Sequence, residues 1–258
     1  MKRAVSKDGT GIAYKRTGDG PPVVLVGGAT ATHAMESPLA AELAAAHTVH
    51  IYDRRGRGKS GDTAPYAVER EVEDLAAVIE AAGGEAAVYG VSSGGALALE
   101  AAASGLPITR VAVYEVPYTT DPSMKAAAEQ YTAELSERLA EDDRGGAVEA
   151  FLRHVGLPAD AIAEIRRAPF WKGFKAIAPT LAYDDAVMGG AEVPAARLAQ
   201  VEQPVLVVCG GAGPQWFRDA GQAVAEATPQ GSYETLEGQD HQVDPAVLAP
   251  VLRRFFAQ

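Results

Sequence analysis

Apolar and polar positions alternate through Lys2–Thr17 about the turn Lys7-Asp8-Gly9-Thr10-Gly11, a pattern that predicts an opening β-hairpin. After the loop Gly18–Pro22, the run Val23–Val26 is apolar at every position, as in a strand covered on both faces of a parallel sheet. Thr48–Asp53, Ala86–Val91, Ile108–Tyr114, Val205–Cys209 and Tyr233–Leu236 read as further strands. Helical patterns lie between them. One is expected to start at Ser37-Pro38, with serine as N-cap and proline at the first helical position. Others cover Ala67–Ala82, Ala96–Ala103, Trp216–Ala227 and Asp244–Phe256. Strands alternating with helices predict an α/β fold whose sheet is mostly parallel and covered on both faces.

That rhythm stops between residues 117 and 198. Ser123–Leu139, Ala147–Val155 and Ala159–Arg167 read as helices, and no convincing strand interrupts them. The expected organisation is a core built from residues 1–116 and 199–258, with a helical cap over 117–198. A chain of 258 residues suits one such domain with its insertion better than two full domains.

Composition narrows the function classes. A hydrophobic content of 47% and a charged content of 22% are those of a soluble globular protein. The net charge of −11 argues against nucleic acid or an anionic membrane as partner and favours solubility. No signal-peptide pattern and no transmembrane-length run is seen, and the single Cys209 rules out an internal disulfide, so a cytoplasmic location is expected. Cys209 ends an apolar strand and reads as a buried structural thiol. The five histidines are scattered, so no metal site is signalled, and no cofactor is called for. No coiled-coil or edge-strand pattern specifies an assembly; a homo-oligomer stays open.

The chemistry is expected at Gly90-Val91-Ser92-Ser93-Gly94, a Gly-x-Ser-x-Gly pattern between a strand and a helix. Centring the motif on Ser93 would require glycine at Val91, so Ser92 is the candidate nucleophile. A serine hydroxyl needs a base, and the base needs a third group to orient it. His241, just beyond the last strand, is the candidate base. A second glycine pattern, Gly56-x-Gly58-x-x-Gly61, spells a dinucleotide fingerprint, but no helix follows it directly and its strand is not the first. It is expected to be a tight loop packed beneath the site.

Taken together, Gly27-Gly28 after the third strand, Asp53-x-Arg55-Gly56-x-Gly58-x-Ser60, the elbow at Ser92 and His241 resemble the α/β-hydrolase superfamily over nearly the whole chain. The resemblance implies an α/β-hydrolase fold, a serine–acid–histidine order, and an oxyanion hole from the N–H groups of Ser93 and Ala29. One part of the pattern is missing. Most relatives carry the acid in a Gly-x-x-Asp stretch after the penultimate strand, where this chain has Gly210-Gly211-Ala212-Gly213-Pro214. Glu115 is the candidate replacement. It interrupts an apolar run at the carboxyl end of a central strand, where a carboxylate is costly to bury unless paired. Haloalkane dehalogenases and zearalenone-type lactonases place their acid there, and the lactonases resemble this chain also in Ser92-Ser93-Gly94 and Glu115-x-Pro117. Asp240 and Asp219 are rivals.

Substrate contacts are expected from Gly28, Thr30 and His33 near the oxyanion turn. From the insertion, the candidate lining residues are Tyr118, Trp171 and Tyr183, among an apolar set that includes Tyr131, Phe170, Phe174 and Met188. The expected function is cleavage of a carboxylic ester or lactone through an acyl-enzyme. A lyase or perhydrolase on the same fold, or a catalytically silent binder, is the alternative.

Overall fold

The hairpin forms as expected, with β1 (Lys2–Val5) antiparallel to β2 (Gly11–Thr17) in a computed structural model that describes residues 1–258. The remaining strands are β3 (Pro22–Val26), β4 (Thr48–Tyr52), β5 (Ala86–Val91), β6 (Ile108–Tyr114), β7 (Val205–Gly210) and β8 (Gly231–Leu236). They make one eight-stranded sheet in the order β1-β2-β4-β3-β5-β6-β7-β8. Only the β1–β2 and β2–β4 pairings are antiparallel. This is an α/β-hydrolase fold.

Helices cover both faces: α1 (His33–Leu43), α2 (Val68–Ala82) and α3 (Ser93–Ala103) in the first half of the chain. Between β6 and β7 come α4 (Pro122–Ala140), α5 (Arg144–His154), α6 (Ala159–Arg167), α7 (Trp171–Ile177), α8 (Leu181–Met188) and the single turn α9 (Ala195–Leu198). Helices α10 (Gln215–Ala227) and α11 (Pro245–Phe256) complete the core. Alternate residues of each central strand feed separate cores. Val24, Val26, Val88, Val111 and Val113 pack with α2, α3 and α10, whereas Val23, Leu25, Tyr89, Ala112 and Tyr114 pack with α1 and α11. A third, smaller core belongs to the inserted helices, around Tyr131, Leu135, Val148 and Leu181.

One predicted boundary is corrected. Helix α1 starts at His33, with Thr32 as N-cap, and Pro38 lies inside it. The Ser37 hydroxyl donates to the His33 carbonyl instead of capping a helix of its own. The reason is tertiary: the His33 N–H, one of the donors a helix start leaves without an internal acceptor, donates to Asp53 Oδ1 at 2.8 Å. Leu39, Ala40 and Leu43 then hold the segment on the α11 core despite the bond lost at Pro38.

The strand order reverses at β3, since β4 lies on one side of it and β5 on the other. The carboxyl ends of β3 and β5 therefore open a crevice at this switch point, where open α/β sheets assemble sites. Gly27–Thr30 leaves β3 there and Ser92 leaves β5. The elbow depends on Gly94: a Cβ there would overlap the Val26 carbonyl oxygen and stand 2.6 Å from that of Gly27. Backbone on neighbouring strands has no room to shift. Gly94→Ala is expected to lose about 3 kcal/mol or more of stability, read as a fall in the urea midpoint at unchanged slope.

Candidate active site

Ser92 sits at φ 55°, ψ −130°, in the left-handed half of backbone space that serine avoids. Glu115 (φ 43°) and Thr30 (φ 62°) share that strain, so three of the chain's few non-glycine residues with positive φ border one crevice. The Ser92 N–H is tied to the Tyr114 carbonyl at 3.0 Å, which anchors the elbow to the end of the strand that Glu115 follows.

The Glu115 carboxylate is 1% exposed and both oxygens are used. Oε2 lies 2.8 Å from His241 Nδ1, and Oε1 accepts from the Gly210 N–H at 2.9 Å. A carboxylate only accepts, so the proton sits on Nδ1 and the Nε2 lone pair is free to act as a base. The last residue of β7, Gly210, thus supplies a backbone donor to the Glu115 carboxylate. A Cβ at Gly213 would stand 3.4 Å from Glu115 Oε1, in ordinary van der Waals contact, so the Glu115 carboxylate lies beside that position. Neither rival takes part in this pair. Asp240 accepts from the Gln242 N–H in its own turn, and Asp219 is held by Gln215 on the surface of α10.

Three residues that sequence reasoning did not single out hold this arrangement. The Phe217 ring stacks on His241 at 5.3 Å between centroids. Arg218 Nη1 donates to the carbonyls of Gly210, Gly211 and Gly213. The Tyr114 hydroxyl donates to the Asp240 carbonyl, beside His241. No hydrogen bond joins Ser92 to His241; such bonds are often long before substrate binds.

Gly28 abuts Ser92, since a Cβ on it would stand 3.0 Å from Ser92 Cβ and 3.1 Å from the Val91 carbonyl. Ala29 and Thr30 follow on the same turn. Ser93 opens α3, where the N–H groups have no acceptor within the helix. His33 is held beside this turn by Nδ1 against Asp53 Oδ1 at 2.8 Å, while Asp53 is fully buried.

The aromatic residues of the insertion are placed differently from one another. Tyr118 is buried in the main core with Val116 and Val187, and Trp171 packs on the separate core of the inserted helices. The Tyr183 ring stacks on Tyr66 at 3.8 Å and its hydroxyl donates to Asp62. Burial pushes that phenol up to about 12. Trp171 thus fills the small inserted core and Tyr118 the main one, while Tyr183 is held by Tyr66 and Asp62.

The loop after β4 is buried at Asp53, Arg54, Arg55 and Arg57 but exposed at Gly58 and Lys59, and the pairing of its arginines is what the pattern could not foretell. Arg55 pairs with Asp74 and Asp8; Arg54 grips Glu71 through two bonds of 2.7 Å and also reaches Asp184 at 2.7 Å. Arg57 bonds the other Asp184 oxygen. Burial alone would raise the Asp184 carboxyl; the Arg57 and Arg54 guanidiniums outweigh it and hold the group below its usual range. One signal was available. Asp184 and Asp185 are the charges in the otherwise apolar stretch Leu181–Met188, as Glu115 is the charge just after its apolar strand.

Glu36, on α1, is the opposite case: a buried carboxyl whose Oε1 would stand 3.3 Å from a Cβ on Gly27. Burial pushes it up from 4.5 to about 7. Between those values the folded chain holds a proton the unfolded chain has released, so stability falls as pH rises through this window. Glu36→Gln is expected to match the wild type near pH 4.5 and exceed it by about 3 kcal/mol above pH 7, as read by denaturant titration at both pH values.

Residues 23–251 match the Alpha/beta hydrolase family. The chain belongs to that family. An alpha/beta hydrolase from Sphaerobacter thermophilus, whose crystal structure is known, is 52% identical with a TM-score of 0.90, covering 99% of this chain and all of that one. The enol-lactonase from Burkholderia xenovorans covers all of both chains at a TM-score of 0.70 and 22% identity, a likeness of fold alone. A putative carbamate hydrolase, RutD, of Azorhizobium caulinodans is 37% identical over 93 residues, 35% of each chain. No helix of this hydrolase is long and apolar enough to cross a membrane.

Proposed function

We propose that this hydrolase cleaves a carboxylic ester or lactone through an acyl-enzyme on Ser92. The observation that carries the reading is the bond from the buried Glu115 to His241, which leaves Nε2 of a fixed tautomer as the base. In the first half-reaction His241 Nε2 takes the Ser92 hydroxyl proton as Oγ attacks the carbonyl carbon. The carbonyl π pair moves onto oxygen, where the N–H groups of Ala29 and Ser93 receive it. Collapse expels the alkoxide, which takes the proton from His241. For a lactone that alkoxide stays tethered to the acyl group. In the second half-reaction water replaces serine: His241 deprotonates it, it attacks the acyl carbon, and Ser92 leaves as the protonated hydroxyl. Glu115 stays ionised throughout and stabilises the imidazolium. The inserted helices act as the cap over this site, and the acyl chain is received by Gly28, Thr30 and His33 on the oxyanion side.

A fluorophosphonate probe is expected to label the wild type once per chain at Ser92, and not to label Ser92→Ala. A p-nitrophenyl butyrate assay should then show turnover, with esters, lactones and carbamates compared in one panel. Absence of labelling in the wild type would overturn the acyl-enzyme reading in favour of a binder.

A further inference from the structure

Both walls of the crevice are gripped by one buried ion cluster that the reaction itself does not use. Arg57 Nη1 donates to the Gly28 carbonyl at 2.7 Å, its Nη2 bonds Asp184 Oδ2 at 2.5 Å, and its Nε donates to Thr180 at 3.1 Å. Arg54 Nη1 donates to Asp184 Oδ1 at 2.7 Å and lies 3.4 Å from both the Gly27 carbonyl and Ser93 Oγ. Ser93 Oγ donates to the same Asp184 oxygen at 2.7 Å. All these side chains are buried, and Arg54 is neutralised further by Glu71. Asp184 is therefore the common partner of the turn after β3, reached through the arginines, and of the elbow, reached through Ser93.

The geometry has a direct consequence for the oxyanion hole. The Gly28–Ala29 peptide is planar, and in a trans peptide the C=O and the N–H point in opposite directions. A guanidinium that holds the Gly28 oxygen thus fixes where the Ala29 N–H points. A cation on the carbonyl also polarises the peptide and strengthens that N–H as a donor. On the other wall, a hydrogen bond from Ser93 Oγ fixes the first residue of α3, whose N–H is the second donor. Asp184 itself comes from α8, in the inserted helices.

We propose that Asp184 and Arg57 are positioning residues that aim both oxyanion donors, so that the hole is set only while α8 is docked on the core. This rests on the acyl-enzyme reading for its meaning in catalysis, though the positioning is measurable without turnover. It makes the inserted helices a determinant of rate as well as of substrate access.

The test uses Asp184→Asn and Arg57→Lys in the full chain. The first substitution keeps the shape but removes the charge; the second keeps the charge but not the fork that reaches three acceptors at once. Amide hydrogen exchange is read first on peptides covering 22–33, 86–100 and 177–188. Both variants are expected to speed exchange in the first two together. A change confined to 177–188 would overturn the proposal by reducing Asp184 to a docking contact. Kinetics on p-nitrophenyl butyrate should then show kcat lower by about 10²-fold at nearly unchanged KM, the size of losing one oxyanion donor. Affinity for a trifluoromethyl ketone, which adds Ser92 and forms an oxyanion, should fall by a similar factor, while the isosteric neutral alcohol binds as before. A rise in KM alone, or equal losses for both inhibitors, would also overturn it. If Asp184→Asn fails to fold, Arg57→Lys decides by the same readings. Failure of the acyl-enzyme reading is recognised separately, by absent labelling of the wild type at Ser92.

Discussion

Glu115→Gln is expected to lower kcat for an ester by about 10⁴, with KM nearly unchanged, because the substituted amide imposes the wrong histidine tautomer. The Gly210 N–H donates to the oxygen nearest it, so it selects the amide orientation. The oxygen of the new amide must face Gly210, which turns the NH2 group toward His241 Nδ1. Nδ1 then becomes an acceptor, the ring proton moves to Nε2, and the base facing Ser92 is lost. Steady-state and burst kinetics on p-nitrophenyl butyrate, with Ser92→Ala as the inactive reference, measure the effect. A silent Glu115→Gln beside an inactive Ser92→Ala would mean that the serine chemistry is right and the acid lies elsewhere.

The second large effect is on stability. Arg54→Met is expected to cost about 3–5 kcal/mol, because it leaves Glu71 and Asp184 as buried carboxylates short of their shared cation. The attraction within such a pair does not by itself favour folding by that amount; the cost arises from removing one partner and leaving the other desolvated. Introducing Glu71→Gln in the Arg54→Met background should recover part of the loss, since it removes one stranded charge. Arg254 provides the contrast. Its bond to Glu234 is equally short, 2.7 Å, but the arginine side chain is 59% exposed. Arg254→Met should change stability by less than about 1 kcal/mol. Urea unfolding of these variants beside the wild type separates burial from bond length. Equal losses for Arg54→Met and Arg254→Met would contradict the assignment of the effect to desolvation.

The elements of the core were legible in the sequence because their signals are local. An apolar run such as Val23–Val26 reports burial on both faces of a sheet, and the helix Val68–Ala82 ends within a residue or so of the predicted bounds. The boundary of α1 was not legible. Its first N–H is satisfied by Asp53, twenty residues away, and no local capping pattern encodes that bond. In the insertion, α7 to α9 escaped prediction because short helices carry too few turns for a period to emerge.

The same division runs through the site. The sequence by itself marked Ser92 as the candidate nucleophile, through the glycines that a sharp strand-to-helix turn demands, and it marked Glu115 as a carboxylate that must find a partner. Only the tertiary structure decided which partner. His241 stands 126 residues further along the chain, and Asp240 and Asp219 are each turned to local donors. Likewise Arg54 and Arg57 are ordinary charges in sequence, 130 and 127 residues from Asp184; burial brings them together under the turn after β3. Backbone requirements are written in neighbouring residues, whereas the pairing of buried charges is set by where the folded chain excludes water.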